Sequence, residues 1–378
     1  MPGVFTVERH VRGKWVCAHC ETLVQAPVPP HIIDKGLPTT GLLAQVLVAK
    51  YADHLPLYRQ EHIFGRAGLA IARSTLARAI VGECGAQLQP LVDALTVELL
   101  TNDVLHAGET PVAMLKPAHL RDGKTHRAYL WSYCTTRYNP TKAVVFDFAE
   151  NRAGQHAREF LGLPGKDGWH GKLVCDDYSG YKQLLTMGVT EAGCLAHARR
   201  KFFDLWANHK SQVAEEALKY FVQLYEVERE VHDLDPDERR RIRQIKARPV
   251  ADALGKWLQS QRQKVPDGSA IAKAIDYNLG RSAALTRYLD DGDLPADNNW
   301  VENQIRPIAI GRNNWLFAGS LRAGKRAAAI MSLVHSARLN GHDPYAYLKD
   351  VLERLPTQPA SRIGELLPHR WQPAAATN

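Results

Sequence analysis

The sequence predicts an α/β protein, a mixed sheet interrupted by a long helical insertion, and three observations predict it. Apolar residues alternate in short runs at 104–112, 127–133 and 142–148. A further run ends in adjacent carboxylates, Asp176 and Asp177. From Asp204 to Asp297 nearly everything keeps a helical period, before a polar, tryptophan-containing stretch at 297–320.

Composition sets the outer limits. The 378 residues have room for one large core or roughly two to three smaller ones, and 45% hydrophobic with 23% charged residues is ordinary for a folded chain. Lys and Arg total 48 against 40 Asp and Glu, a net charge of +8 that permits a polyanion partner without requiring one. Of six cysteines only Cys17 and Cys20 lie close together, which is not a disulfide framework. No stretch resembles a signal peptide, and none of about 18 apolar residues could span a bilayer, so a cytoplasmic protein without a membrane partner is expected.

Residues 1–38 read as a partial zinc-ribbon-like segment and linker. An alternating opening leads to Cys17-Ala18-His19-Cys20, a knuckle that offers two thiolates to Zn2+, whereas a structural zinc takes four ligands. His19 and His31 are poorly spaced substitutes, and two reduced thiols in a short hairpin are the competing reading. A Pro-rich connector runs from Pro27 to Pro38.

Residues 39–102 read as a helical DNA-binding region. A broad apolar face marks a helix over Leu42 to Lys50, Pro56 opens a second through Phe64, Gly65 to Gly68 turn, and Ser74 caps a third starting at Thr75. That spacing fits a helix-turn-helix, with Arg59, Arg66, Arg73 and Arg78 toward phosphates or bases; a plain helix-packing unit has the same pattern. An amphipathic helix from Gln87 to Leu100 follows.

Residues 103–203 carry the first part of the sheet domain: three strands, a helix from Gly154 to Leu161, the strand that ends at Asp176, and a short strand turning into the basic helix that begins near Leu195. This order is consistent with a ribonuclease-H-like core. Residues 204–296 form the helical insertion, with Ala214, Ala217, Leu218, Phe221, Leu224 and Tyr225 on one stripe. Its basic run, Arg239 to Arg241 with Arg243, Lys246 and Arg248, is either a solvated face or a phosphate groove. Residues 297–355 return to the core and add helices at Lys325 to Leu339 and Pro344 to Leu352; residues 356–378 are expected to be a disordered tail.

The chemistry gathers at Asp176 and Glu302. If Asn298 to Arg306 is helical, Asn298, Glu302 and Arg306 stack at i, i+4 and i+8, a carboxylate between an amide and a guanidinium. The bland alternative is that Asp297 caps a surface helix and Glu302 pairs with Arg306. A strand-end Asp and a helical Glu supply the oxygen donors that Mg2+ or Mn2+ takes, and two such ions about 3.5–4 Å apart support in-line phosphoryl transfer.

The chain resembles the transposases of the insertion sequence 66 family of bacterial mobile elements. The resemblance lies in Leu42-Leu43-Ala44-Gln45, Lys50-Tyr51-Ala52-Asp53-His54-Leu55-Pro56-Leu57-Tyr58-Arg59-Gln60, Leu105-His106-Ala107-Gly108-Glu109-Thr110-Pro111, Cys175-Asp176-Asp177-Tyr178-Ser179-Gly180-Tyr181, Cys194-Leu195-Ala196-His197-Ala198-Arg199-Arg200-Lys201-Phe202 and Asp297 through Ser320, so that it covers roughly residues 5–355. It implies a ribonuclease-H-like catalytic domain of the three-carboxylate (DDE) type, with Asp176 as second and Glu302 as third acid and both as metal ligands. The family's first acid belongs at position 108, where this chain has Gly108. Glu109 is one residue along and, on a strand, faces the other way.

The resemblance further implies cutting at terminal inverted repeats and joining to target DNA by a protein associated with the nucleoid, a homodimer or larger synaptic assembly, and two small accessory proteins. Arg306, Arg312 and Lys325 would contact phosphates or steady the acids, and Asn299 and Asn313 would orient the loop of Glu302. Family members carry an upstream coiled coil and a second cysteine pair, which implies an N-terminally truncated chain with weak Zn2+ binding at Cys17 and Cys20. Gly108 leads to the expectation of a catalytically impaired copy. An inactive DNA-binding remnant or repressor and a ribonuclease-H-like nuclease are the alternatives.

Overall fold

The computed structural model describes residues 5–116, 124–165 and 168–373. Within these limits the chain divides into two compact units. One draws on residues 1–96, 113–126 and 311–378; the other on 97–112 and 127–310.

The second unit holds most of the sheet. Strands β3 (Val104–Leu115), β4 (Thr125–Thr135), β5 (Val144–Ala149), β6 (Lys172–Val174) and β7 (Thr190–Ala192) are ordered β5-β4-β3-β6-β7. The antiparallel pair β4 and β5 sets Trp131 opposite Asp147, and the parallel pairs set His106 opposite Val174 and Val174 opposite Ala192. Three central strands buried on both faces explain the near-continuous apolar runs. This mixed sheet, with a helical insertion between β7 and the later helices, is the ribonuclease-H-like arrangement expected from the order of elements.

The insertion supplies a long apolar core. Helices α8 (Leu195–His209), α9 (Gln212–Glu230), α10 (Pro236–Ile242), α11 (Arg248–Arg262), α12 (Ala270–Gly280) and α13 (Ser282–Thr286) gather Phe202, Phe221, Leu224, Leu254, Leu258 and Ile275 into one cluster that reaches Val174 and Ala192 of the sheet. The short helices α6 (Gln155–Phe160) and α7 (Lys182–Leu185) flank β6, and α14 (Asn299–Trp315) follows the insertion.

The insertion's basic run is not a free phosphate groove. Arg239 is 3% exposed and Arg243 fully buried. Arg243 donates to Glu228 at 2.8 and 2.6 Å and to the carbonyls of Tyr288, Asp291 and Leu294 at 2.9, 3.0 and 2.9 Å. Arg241 pairs with Glu238, Lys246 with Glu230, and Arg248 with Asp290. Most of the cations are spent on the insertion's own carboxylates and loop carbonyls, which a charge count cannot reveal.

In the first unit, β1 (Lys14–Val16) and β2 (Leu23–Gln25) form a hairpin whose turn carries Cys17 and Cys20. Helices α1 (Thr40–Tyr51) and α2 (Leu57–Arg66) appear where expected, Pro56 preceding the latter. The third differs. It starts at Arg73 rather than behind a Ser74 cap, as α3 (Arg73–Thr75) continuing through a π-helical stretch at Leu76–Gly82 into α4 (Glu83–Gln87). The Glu61 carboxylate accepts the Arg73 N–H at 2.8 Å, so a side chain of α2 replaces the local hydroxyl as cap. Helix α5 (Gln89–Leu100) follows.

Helices α15 (Leu321–Leu339) and α16 (Pro344–Arg354) belong to this same unit and pack on α1. Ser320 and Asp343 cap them through the N–H groups of Ala323 and Ala346. Of the segment 297–355, residues up to Ile310 fall in the sheet-bearing unit and those from Gly311 on in the first unit. The expected disordered tail is also corrected. Residues 355–357 and 360–366 make 3-10 turns, Leu366, Leu367 and Trp371 are buried, and the Tyr347 hydroxyl donates to the Leu366 carbonyl at 2.9 Å. Proline and alanine content hid three large apolar anchors; residues 374–378 lie outside the described residues.

Candidate active site on the sheet-bearing unit

The parallel register brings positions 108 and 176 to adjacent strands. His106 pairs with Val174, and two residues further on each chain come Gly108 and Asp176. The Asp176 carboxylate accepts the Tyr178 N–H at 3.0 Å, which shapes the turn after β6 and leaves the side chain partly open to solvent. Asp177 turns away to Arg281, which also donates to Glu191 at 2.6 Å.

Gly108 faces α14. A Cβ there would lie 3.1 Å from Ile305 Cδ1 and 3.4 Å from Val301 Cγ1, the two apolar residues beside Glu302 in sequence and helical turn. Position 108 is therefore a slot on the side of the sheet that α14 covers. Glu109 points the other way. Arg152 Nε donates to its Oε1 at 2.8 Å and the Tyr181 hydroxyl to its Oε2 at 2.6 Å, and the side chain is 3% exposed. Burial pushes the Glu109 carboxyl up, against the pull of Tyr181 and Arg152. The guanidinium of Arg152 stacks 3.8 Å from the Tyr178 ring centroid.

Glu302 sits in the first turn of α14, half-buried, with Oε1 3.6 Å from His197 Nε2 on α8. It does not pair with Arg306, which is exposed on the same helix. The turn itself is held by Asn298. This residue is 2% exposed and all of its polar groups are engaged. Its N–H donates to Cys194 Sγ at 3.1 Å, its carbonyl accepts the Glu302 N–H at 3.3 Å, its Nδ2 donates to the Ala107 carbonyl at 2.8 Å, and its Oδ1 lies 2.7 Å from His106 Nδ1. His106 is fully buried, and burial, with the Asn298 contact opposing it, takes the imidazole down to about 4. Of the residues expected to orient the loop of Glu302, Asn299 is exposed and bonds Asp297 at 2.9 Å, and Asn313 belongs to the other unit; Asn298 is the residue bonded to the sheet.

The remaining sequence-derived residues are dispersed. Arg59, Arg73 and Arg78 are exposed in the first unit, which also holds Arg312 and Lys325; Arg306 is in the second with Asp176 and Glu302. Cys17 is half-buried and Cys20 exposed, and hydrogen bonding with Thr22 lowers the Cys20 thiol below its ordinary value. Among the described residues no three His, Cys, Asp or Glu side chains are grouped to hold a metal ion. The oxygen donors suit a hard cation, but the set does not fit a two-ion centre. Position 108 contributes nothing, and Glu109 is consumed by Arg152 and Tyr181.

Comparison with known proteins places this geometry in a family. No solved structure matches the chain. The family model described as IS66 C-terminal element matches residues 332–369, and the model described as Transposase IS66 family matches residues 35–326. The chain is similar to uncharacterized protein y4hP of Sinorhizobium fredii (strain NBRC 101917 / NGR234), with 35% identity over all of this chain and 70% of that protein. It is 37% identical to uncharacterized protein y4qI of the same organism, over 99% of this chain and 70% of that protein. No helix among the described residues is long and apolar enough to cross a membrane. Sheet order, matched motifs and two relatives above 30% identity agree, and the chain belongs to the IS66 family of DDE-type transposases.

Proposed function

We propose that this chain binds the ends of a bacterial insertion sequence as a transposase whose strand-transfer centre is incomplete. One observation carries the reading: the slot that faces α14 at position 108 holds glycine, and the neighbouring carboxylate of Glu109 is turned to the opposite side into an ion pair. In this reading Asp176 and Glu302 remain as the second and third acids, for Mg2+ or Mn2+. Such an ion would stabilise charge on a scissile phosphate, and glycine at position 108 offers it no further carboxylate.

DNA binding rests on other residues. Arg59, Arg73 and Arg78 are exposed on the helical segment of the first unit, and in this reading Arg306, Arg312 and Lys325 supply further phosphate contacts. Partners in this reading are terminal inverted repeats, target DNA, a second copy of the chain at synapsis and the element's accessory proteins. Zn2+ at Cys17 and Cys20 is weak because two thiolates fall short of four ligands.

The test is a gel shift with terminal-repeat DNA and with scrambled DNA, run beside a strand-cleavage assay in Mg2+. Preferential binding of the repeat with cleavage at background supports the reading. Efficient cleavage and joining, or no preference for the repeat, contradicts it.

A further inference from the structure

We propose that His106 is a positioning residue for Glu302, acting through Asn298. The proposal rests on the reading of Glu302 as the third acid, but its geometry stands by itself.

The hydrogen-bond directions follow from donor counting. Asn298 Nδ2 must be the atom that donates to the Ala107 carbonyl, 2.8 Å away, because a carbonyl only accepts. The other terminal atom is then Oδ1, an acceptor, and His106 Nδ1, 2.7 Å from it, has to carry the proton. The imidazole is thereby fixed as the Nδ1–H tautomer, with Nε2 bare; Nε2 is buried and has no hydrogen-bond partner among the described residues.

Two strand atoms, His106 Nδ1 and the Ala107 carbonyl, thus clamp one side-chain amide from opposite ends. The clamp spans 192 residues of sequence and is fully buried, so its amide cannot drift without leaving a donor or acceptor unpaired. Asn298 in turn accepts the Glu302 N–H, which closes the first turn of α14. The position of the Glu302 backbone is referred to β3, the strand that carries position 108. The Cys194 thiol, accepting the Asn298 N–H, ties the same residue to the start of α8, where His197 faces Glu302. The third acid is held by the strand of the first even though the first acid itself is glycine here.

The experiment is amide hydrogen exchange on the full chain, unmodified and as His106→Asn and His106→Leu. Asparagine keeps a donor near the Nδ1 position; leucine fills the space without one. In the Leu variant, exchange of the Glu302 amide and its neighbours in the first turn of α14 accelerates at least ~10-fold, while amides of β6 and β7 stay as they were. The Asn variant recovers most of the lost protection. Unchanged exchange in the Leu variant, or equal loosening by both, overturns the proposal. Should the Leu variant fail to fold, nitrogen-15 spectra of the unmodified protein decide: a proton on Nδ1 of His106 supports it and a proton on Nε2 overturns it. Neither readout depends on DNA cleavage, so a failure here and a failure of the transposase reading are told apart.

Discussion

Arg152 Nε donates to Glu109 Oε1 at 2.8 Å, and the two partners differ sharply in exposure: the Arg152 side chain is 41% exposed and the Glu109 side chain 3%. The asymmetry predicts asymmetric mutants. Glu109→Gln keeps a partner for Tyr181 and frees a guanidinium that water solvates, for a loss of about 1–2 kcal/mol. Arg152→Met strands a buried carboxylate and costs about 3–5 kcal/mol. Urea unfolding of both variants measures this; equal losses would contradict the assignment of Glu109 as the buried, dependent partner.

Arg243 is the corresponding keystone of the insertion. Five donor contacts run from one fully buried guanidinium to Glu228 and to three carbonyls of the loop at 288–294 that leads toward α14. Arg243→Met leaves the carboxylate and the carbonyls unpaired and is expected to cost about 3–5 kcal/mol, far more than Arg241→Met, whose pair with Glu238 is exposed. Thermal unfolding of the two variants side by side is the check.

His106 makes stability sensitive to acid. Its folded value is depressed to about 4 from an ordinary 6.5. The unfolded chain therefore takes up a proton first as pH falls, and stability is full above about 6.5 and lost progressively down to about 4, by about 3 kcal/mol. His106→Asn removes this contribution to the slope. Unfolding free energies measured between those limits, for both proteins, give the difference directly; identical slopes would contradict a buried neutral imidazole.

The hairpin at Cys17 and Cys20 is expected to hold well under one zinc per chain. Elemental analysis of purified protein tests this, and one tightly held ion per chain would show that ligands beyond these two thiols complete the site.

The exposed arginines predict a salt signature. Arg59→Ala, Arg73→Ala and Arg78→Ala are each expected to weaken binding to terminal-repeat and scrambled DNA alike and to lower the slope of log affinity against log salt by about 1. Gel shifts across a salt series read this out, and an unchanged slope in all three removes these residues from the interface.

Periodicity made the architecture legible. The apolar runs at 104–112, 127–133 and 142–148 mark strands because strands covered on both faces are apolar nearly throughout, and the stripe through Phe221 and Leu224 marks a helix because burial on one side imposes a period of 3.6 residues. Position 108 was legible because strand alternation places Gly108 and Glu109 on opposite faces, as observed. What sequence reasoning missed was long-range pairing. Nothing local announces that Asn298 meets His106, or that Arg243 reaches three loop carbonyls; the available signal was that His106 shares a strand face with position 108. The ordered end of the chain was hidden because three apolar anchors are scattered among turn residues, and the cap of α3 because Glu61 lies 12 positions away.

The most direct measurement of the central claim is strand cleavage and joining by this chain beside its Gly108→Asp version, on the same terminal-repeat DNA in Mg2+. A Cβ at position 108 is accommodated once the end of Ile305 yields a few tenths of an ångström, and thermal unfolding of the Asp version followed by circular dichroism registers what the whole side chain costs, on the order of 1–3 kcal/mol. The account predicts product at background for the chain as it stands and at least ~100-fold more for the Asp version, the order by which losing about 3 kcal/mol of transition-state stabilisation slows a reaction. Equal activity of the two would contradict it.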